Sequence, residues 1–322
     1  MSEPYRFAII GDVHYDNGKF NKYISNVLES IPKLLKEEYL DHIVWLGDLL
    51  HTPLLTTNNT DYLGNYFKQQ FGTNENLTHI VLGGNHDFDP VFEKFATNFL
   101  SLLSNVSVVT SPAIYRGILY VPHCYNGYDA TTSECSVIIA HLGVLNITIN
   151  NSFVYNKKDV LTYGNNAKTI ILGHIHTPLH VCRTLETEDL LHIYIPGNIT
   201  PMTWGDSNDD RFIYMFEYLP DTDEAIMYKK IPLPIKKVVE VTSPEEADMY
   251  EGYIIRLVTS SIPAIQHPNI VDVKIEQPKG ASLLKHCITE IDVPAYVKDM
   301  CKAKQVNYNS VCSILKDVGV AC

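Results

Sequence analysis

Asp, Asn and His recur in this chain at the ends of short apolar runs, a pattern suited to holding divalent cations. Phe7-Ala8-Ile9-Ile10 leads into Gly11-Asp12-Val13-His14, and Asp41-His42-Ile43-Val44-Trp45-Leu46 into Gly47-Asp48-Leu49-Leu50-His51. His79-Ile80-Val81-Leu82 leads into Gly83-Gly84-Asn85-His86-Asp87, Val137-Ile138-Ile139-Ala140 into His141, and Thr169-Ile170-Ile171-Leu172 into Gly173-His174-Ile175-His176. A carboxylate at the end of a buried strand is costly to desolvate unless it is paired, hydrogen-bonded or bound to a metal. Strands that each deliver such a group therefore predict one convergent metal centre. One cation takes Asp12, His14, Asp48 and His176; a second takes Asp48, Asn85, His141 and His174, with Asp48 shared. Asp12 and His14, two apart on extended chain, point the same way. This mixed set suits Mn²⁺, Fe²⁺ or Zn²⁺ better than Ca²⁺ or Mg²⁺. Two such ions, about 3.5–4 Å apart, clamp both oxygens of an in-line phosphoryl displacement and lower the pKa of water toward roughly 7. An Asp hydrogen-bonded to a His fixes its tautomer and favours its protonated form. His86-Asp87 is thus expected to stabilise the transition state or protonate the leaving oxygen. His51 shares a face with Asp48 only if Leu49 and Leu50 turn helically.

The elements that must position these residues follow from periodicity. After Asn21, apolar residues at Ile24, Val27, Leu28, Ile31, Leu34 and Leu35 predict a helix, which Pro32 kinks or restarts. Tyr62, Leu63, Tyr66 and Phe67 predict a second helix; Phe92, Phe95, Phe99, Leu100 and Leu103 predict a third. Strands alternating with helices predict βαβ units and a largely parallel, helix-covered sheet. From about Val106 short strands dominate: 106–109, 114–121, 136–140, 169–172, 191–195 and 212–217. They predict a second sheet packed on the first, an α/β fold layered α/β/β/α. Pro232-Leu233-Pro234 marks a boundary. Beyond it, 238–241 and 252–258 read as strands. Ser243-Pro244-Glu245-Glu246 reads as a capped helix start with Pro at its first position. Two short amphipathic segments close the chain, at Tyr296, Val297 and Met300 and at Tyr308, Val311, Cys312 and Leu315. The expected organisation is a catalytic domain over 1–231, a small α+β domain over 232–292 and a helical tail over 293–322.

The 322 residues suffice for one large core and a second small domain. No apolar run approaches the roughly 20 residues of a membrane span, and no signal-peptide pattern opens the chain. Seven scattered cysteines without a C-x-x-C pair read as reduced thiols of a cytoplasmic protein. A formal net charge of −12 argues against a stand-alone nucleic-acid binder. Asp206, Asp209 and Asp210 read as a solvated turn. Trp204 reads equally as a loop anchor or a base-stacking platform. His123, His180 and His192 read as structural.

The motifs GDVH, GDLLH, GNHD, His141 and GHIH, in this order, resemble the calcineurin-like metallophosphoesterase superfamily. Protein Ser/Thr phosphatases of that superfamily carry a GDxVDRG-type second motif and GNHE, which this chain lacks. A His three residues after the bridging Asp, together with GNHD and a separate tail-end domain, resembles the SbcD-type nuclease, the bacterial and phage counterpart of the meiotic recombination eleven repair nuclease. Pro196-Gly197-Asn198-Ile199-Thr200 and Trp204-Gly205-Asp206 are similar to that family's segment after the last metal motif. The resemblance implies an Mn²⁺-dependent DNA exonuclease and endonuclease acting in recombination, repair or end processing. It implies His86, Asp87 and His51 as catalytic residues and an SbcC-type coiled-coil ATPase as partner, in a heterotetramer containing a homodimer. Residues 232–292 would then be a DNA-capping domain and 293–322 the ATPase anchor, in the cytoplasm, or the host's if phage-encoded. Two other classes are a metallophosphoesterase for a small phosphodiester or monoester and a non-catalytic scaffold; no missing ligand favours the scaffold.

Overall fold

The apolar runs form strands, and their alternation sorts residues into layers. The computed structural model describes residues 3–16, 18–70, 77–144, 160–185, 187, 189–259 and 270–275. In the first sheet, Tyr5–Ile10, His42–Trp45, Thr78–Leu82 and Val106–Val109 run parallel in that spatial order. Phe212–Leu219 and Glu224–Pro232 extend it antiparallel beyond Tyr5–Ile10. In the second sheet, Ile118–Val121, Val137–Ala140, Thr169–Leu172 and Leu190–Ile195 are parallel, with Ala113–Tyr115 and Leu179–Thr184 as antiparallel edges.

Side chains alternate across a strand, so Phe7 and Ile9 pack between the sheets against Tyr120, Ile139 and Ile171. Ala8 and Ile10 point the other way, onto Leu28, Ile31 and Phe67. The outer face of the second sheet buries Ile138, Ile170 and Ile193. The layered α/β fold is as expected, except on this outer face. There, among the described residues, a small sheet of Gly143–Val144, Val160–Tyr163 and Tyr128–Ala130 stands where a helical layer was expected.

The first helix, Asn21–Leu35, passes through Pro32 without a break. Proline has no N–H for the carbonyl of Leu28 four residues back; the Tyr66 hydroxyl donates to that carbonyl instead, at 2.9 Å. The second helix, Thr57–Asn65, runs on into a π-turn at Tyr66–Gln70. The third expected helix is a hairpin of Phe88–Asp89 with Lys94–Phe95, followed by 3₁₀ turns over Ala96–Leu102. Phe92, counted toward its apolar face, is 72 % exposed. The expected strand 114–121 is a hairpin whose turn residues, Arg116 and Gly117, both have positive φ, as a two-residue type I′ turn requires.

The chain divides into two compact units, one of Met1–Leu257 with His267–Asp272, the other of Val258–Gln266 with Val273–Cys322. The strand that ends at Pro232 belongs to the first sheet, and the expected strands beyond it are found at Val238–Val241 and Ile254–Thr259. The amphipathic tail segments lie outside the described residues. Among the described residues no helix is long and apolar enough to cross a membrane.

Candidate metal centre

Parallel strands carry their C-terminal ends to one edge of each sheet, where open α/β folds place their sites. Here the ends of Tyr5–Ile10, His42–Trp45 and Thr78–Leu82 meet those of Val137–Ala140 and Thr169–Leu172. Two clusters result. In one, donor atoms of Asp12, His14 and His176 lie within 4.8 Å of one another; in the other, those of Asp48, His141 and His174 do. Asp48 faces both: Oδ2 is 3.5 Å from His14 Nε2 and Oδ1 is 3.4 Å from His141 Nε2. Asn85 Oδ1 joins the second cluster, 2.9 Å from His141 Nε2 and 2.7 Å from His174 Nδ1. The structure thus brings Asp12, His14 and His176 to one side of the Asp48 carboxylate and Asn85, His141 and His174 to the other.

Backbone geometry at the site is unusual. His14, Asp48 and His174 have φ of 50°, 48° and 73°. That left-handed region costs non-glycine residues of order 1–3 kcal/mol and persists where the surroundings over-determine it. Nearby glycines allow this crowding. A Cβ on Gly84 would collide with the Asp48 carboxylate, and one on Gly47, itself at φ +105°, would come within 2.6 Å of His141 Nδ1.

The donor set fits cations. Asp12 Oδ1 is buried with no hydrogen-bond partner, and His14 Nε2 and His176 Nε2 face each other at 3.0 Å. Burial, opposed by the His141 imidazole and reinforced by the Asp48 carboxylate, pushes Asp12 up to about 7. Burial works against the charge on Asp48, yet His141 beside it, with His14 and His86 close by, holds it well below the carboxylate range. Burial likewise opposes charging His141, but Asp48 prevails and raises it to about 9. Burial drives His14 and His174 down to about 3, which leaves neutral imidazoles with lone pairs available. Nearby dications reverse this local charge balance.

Two further imidazoles, His51 and His86, gather with His14 in a third cluster that adjoins the first. The His51 and His86 rings stack at 5.7 Å. His51 reaches this place through an extended turn in which Leu50 bridges Tyr15, rather than through helical winding. The expected Asp87–His86 hydrogen bond is not made. The fully buried Asp87 carboxylate instead accepts from the backbone N–H groups of Leu50 and Gly84 at 2.9 Å and Leu49 at 3.3 Å. His86 is oriented by its Nδ1–H, which donates to the His51 carbonyl at 2.7 Å. With three backbone N–H groups on its carboxylate, Asp87 shapes the loop and not the imidazole.

Sequence reasoning missed two neighbours of the site. His123 sits with its ring 6.4 Å from that of His174. Asp206, read as part of a solvated turn, has Oδ1 3.9 Å from His176 Nδ1. Its only signal was the Trp-Gly-Asp stretch after the last motif. Asp210 lies 3.8 Å from Lys237. Trp204 packs between Phe20 and the Arg256 guanidinium, which lies 4.4 Å from its ring centre; it is a loop anchor. His180 and His192 pair with each other at 3.2 Å on neighbouring strands of the second sheet.

A two-sheet sandwich that collects Asp, Asn and His from strand ends around one shared carboxylate defines the class of two-metal hydrolases. The chain belongs to the calcineurin-like phosphoesterase family, whose model matches residues 5–178. Members are metal-dependent hydrolases of phosphoesters that bind two divalent ions. No curated protein matches the chain.

Proposed function

We propose that this protein is an Mn²⁺-dependent DNA exonuclease and endonuclease, the nuclease subunit of an SbcCD-type complex. One observation carries the reading: His51 lies against His86 beside the shared carboxylate. A phosphodiester differs from a monoester in having a second ester arm that must leave the site. A second imidazole beside the proton donor suits that arm.

Asp12, His14, Asp48 and His176 would hold one divalent ion, and Asp48, Asn85, His141 and His174 the other. When bound, the pair supplies Lewis acidity at the phosphoryl group and a water of lowered pKa. The chain's own residues do the rest. His86, fixed through Nδ1, presents Nε2 to the leaving oxygen as proton donor. His51 supports the polymer arm, and its carbonyl sets the His86 ring. Asp87 holds the Leu49-Leu50 and Gly84 backbone that carries both. An acidic chain makes few phosphate contacts alone, which suits a subunit that works beside an SbcC-type ATPase within a heterotetramer, in the cytoplasm.

The test compares hydrolysis of duplex DNA, single-stranded DNA and bis-p-nitrophenyl phosphate with Mn²⁺, with and without the ATPase and ATP. DNA cleavage that rises with the partner is expected. His86→Ala should keep both ions and lose turnover on the order of 10²–10⁴-fold; His51→Ala should lose DNA cleavage more than small-diester cleavage. Turnover of a small phosphoester with DNA untouched under every condition would overturn the nuclease reading.

A further inference from the structure

Asn198 pairs with Asp12, just past the strand Tyr5–Ile10, and it touches four parts of the first cluster's surroundings. Its backbone bridges Asp12: Asp12 N–H donates to the Gly197 carbonyl at 3.3 Å, and Ile199 N–H to the Asp12 carbonyl at 2.9 Å. Its own N–H donates to the His176 carbonyl at 3.2 Å. Its side-chain amide donates to Asp206 Oδ2 at 2.7 Å. Its side-chain oxygen accepts from Arg211 Nε at 2.9 Å.

Arg211 is fully buried, and a buried guanidinium is strongly destabilising unless its donors are satisfied and its charge is compensated. Its other nitrogens donate to the carbonyls of Asp209, at 2.6 Å, and Ser207, at 3.0 Å. The segment from Asn198 to Arg211 is therefore closed around one fixed cation. Asp206 is the carboxylate this closure leaves facing the cluster. Met202 N–H and the Thr203 hydroxyl hold it at 2.8 and 2.7 Å, so its rotamer does not depend on His176.

His176 presents Nε2 to His14 and Asp12, at 3.0 and 4.0 Å, and turns Nδ1 to Asp206 Oδ1. A metal-ligating imidazole commonly gives its other N–H to a carboxylate, which fixes the ring and raises its basicity; removing that partner typically weakens metal affinity by about 10–100-fold.

We infer that Asp206 is a positioning residue for the cation bound by Asp12, His14 and His176, and that Asn198 and Arg211 anchor it from a segment outside every strand-end motif. The inference rests on the cation assignment of the proposed function. It goes beyond that assignment in making the two cation positions separately adjustable: the Asp206 carboxylate faces His176, and its hydrogen bonds run to Asn198, Met202 and Thr203 rather than to Asn85, His141 or His174.

The test titrates the full-length metal-free protein with Mn²⁺ by calorimetry and follows the spin-coupled pair by electron paramagnetic resonance. In the wild type, two binding steps are expected. In Asp206→Asn, which keeps size and one acceptor oxygen, one step should weaken about 10–100-fold while the other is unchanged, and the coupled signal should appear only at higher Mn²⁺. Asp206→Glu should recover part of the lost affinity. Thermal unfolding of the metal-free variants reports the loop alone: a purely structural Asp206 lowers the melting temperature and leaves both steps intact. Two unchanged steps, or equal weakening of both, overturns the inference. Absence of metal binding by the wild type would instead overturn the cation assignment on which it rests.

Discussion

The two cation clusters share Asp48 and arise from the same strand-end device, yet they are held by different means. At the Asp48/His141/His174 cluster, packed backbone does the holding. His141 Nδ1–H donates to the Leu46 carbonyl at 2.7 Å, and Gly47 and Gly173 approach so closely that a Cβ on either would press on the imidazole. At the Asp12/His14/His176 cluster, His176 is partly exposed and its outer nitrogen faces the polar segment 198–211. Packing that is close on every side transmits any local change as strain. A hydrogen-bonded network can lose one partner and leave the ring in place but less strongly oriented. One cluster should therefore respond to bulk added near it, the other to charge removed at a distance.

The shared carboxylate gives the largest effect. Asp48→Ala should lose both cations together and with them nearly all turnover, as read by metal analysis and phosphodiester hydrolysis. Retention of either ion at wild-type affinity would break the claim that the clusters share Asp48.

Acid should act on the layer beneath both clusters without separating them. His42 is buried between the sheets, stacked on Phe7 with ring centres 5.3 Å apart. Burial first, and Arg116 second, lower it to about 4. An unfolded His titrates near 6.5. Because the folded value is the lower one, folding favours the neutral ring. Its contribution is whole above about pH 6.5, falls as pH drops toward about 4 and then levels, amounting to at most about 3 kcal/mol. Urea unfolding of the metal-free protein across this range should show the loss, and His42→Phe should make that limb shallower. An unchanged limb in the variant would assign acid sensitivity to the clusters themselves.

Gly47→Ala should have the sharpest selectivity. It places a side chain at φ +105° and 2.6 Å from His141 Nδ1, at about 1–3 kcal/mol for the backbone alone. The His141-side affinity should fall while the step sensitive to Asp206 stays unchanged. Together the two variants test the comparison from both sides; if Gly47→Ala and Asp206→Asn weaken the same step, the clusters are not separately held.

Much of this was determined by the sequence alone. Apolar runs ending in Asp, Asn or His required buried strands with a shared polar edge, because neither property tolerates the other exposure. The period of Ile24, Val27, Leu28 and Ile31 required a helix with one buried face, and the order of the motifs marked the family. Only the tertiary structure decided which groups touch. Asp87 adjoins His86 in sequence but takes three backbone donors from two loops, since a buried carboxylate is better satisfied by several N–H groups than by one imidazole. Asp206 lies thirty positions after His176 and follows no period, so no local pattern could assign it to that ring. The left-handed backbone of His14, Asp48 and His174 is likewise imposed by the surrounding fold, because each residue taken alone prefers the ordinary regions and only the meeting of five strand ends over-determines the other choice.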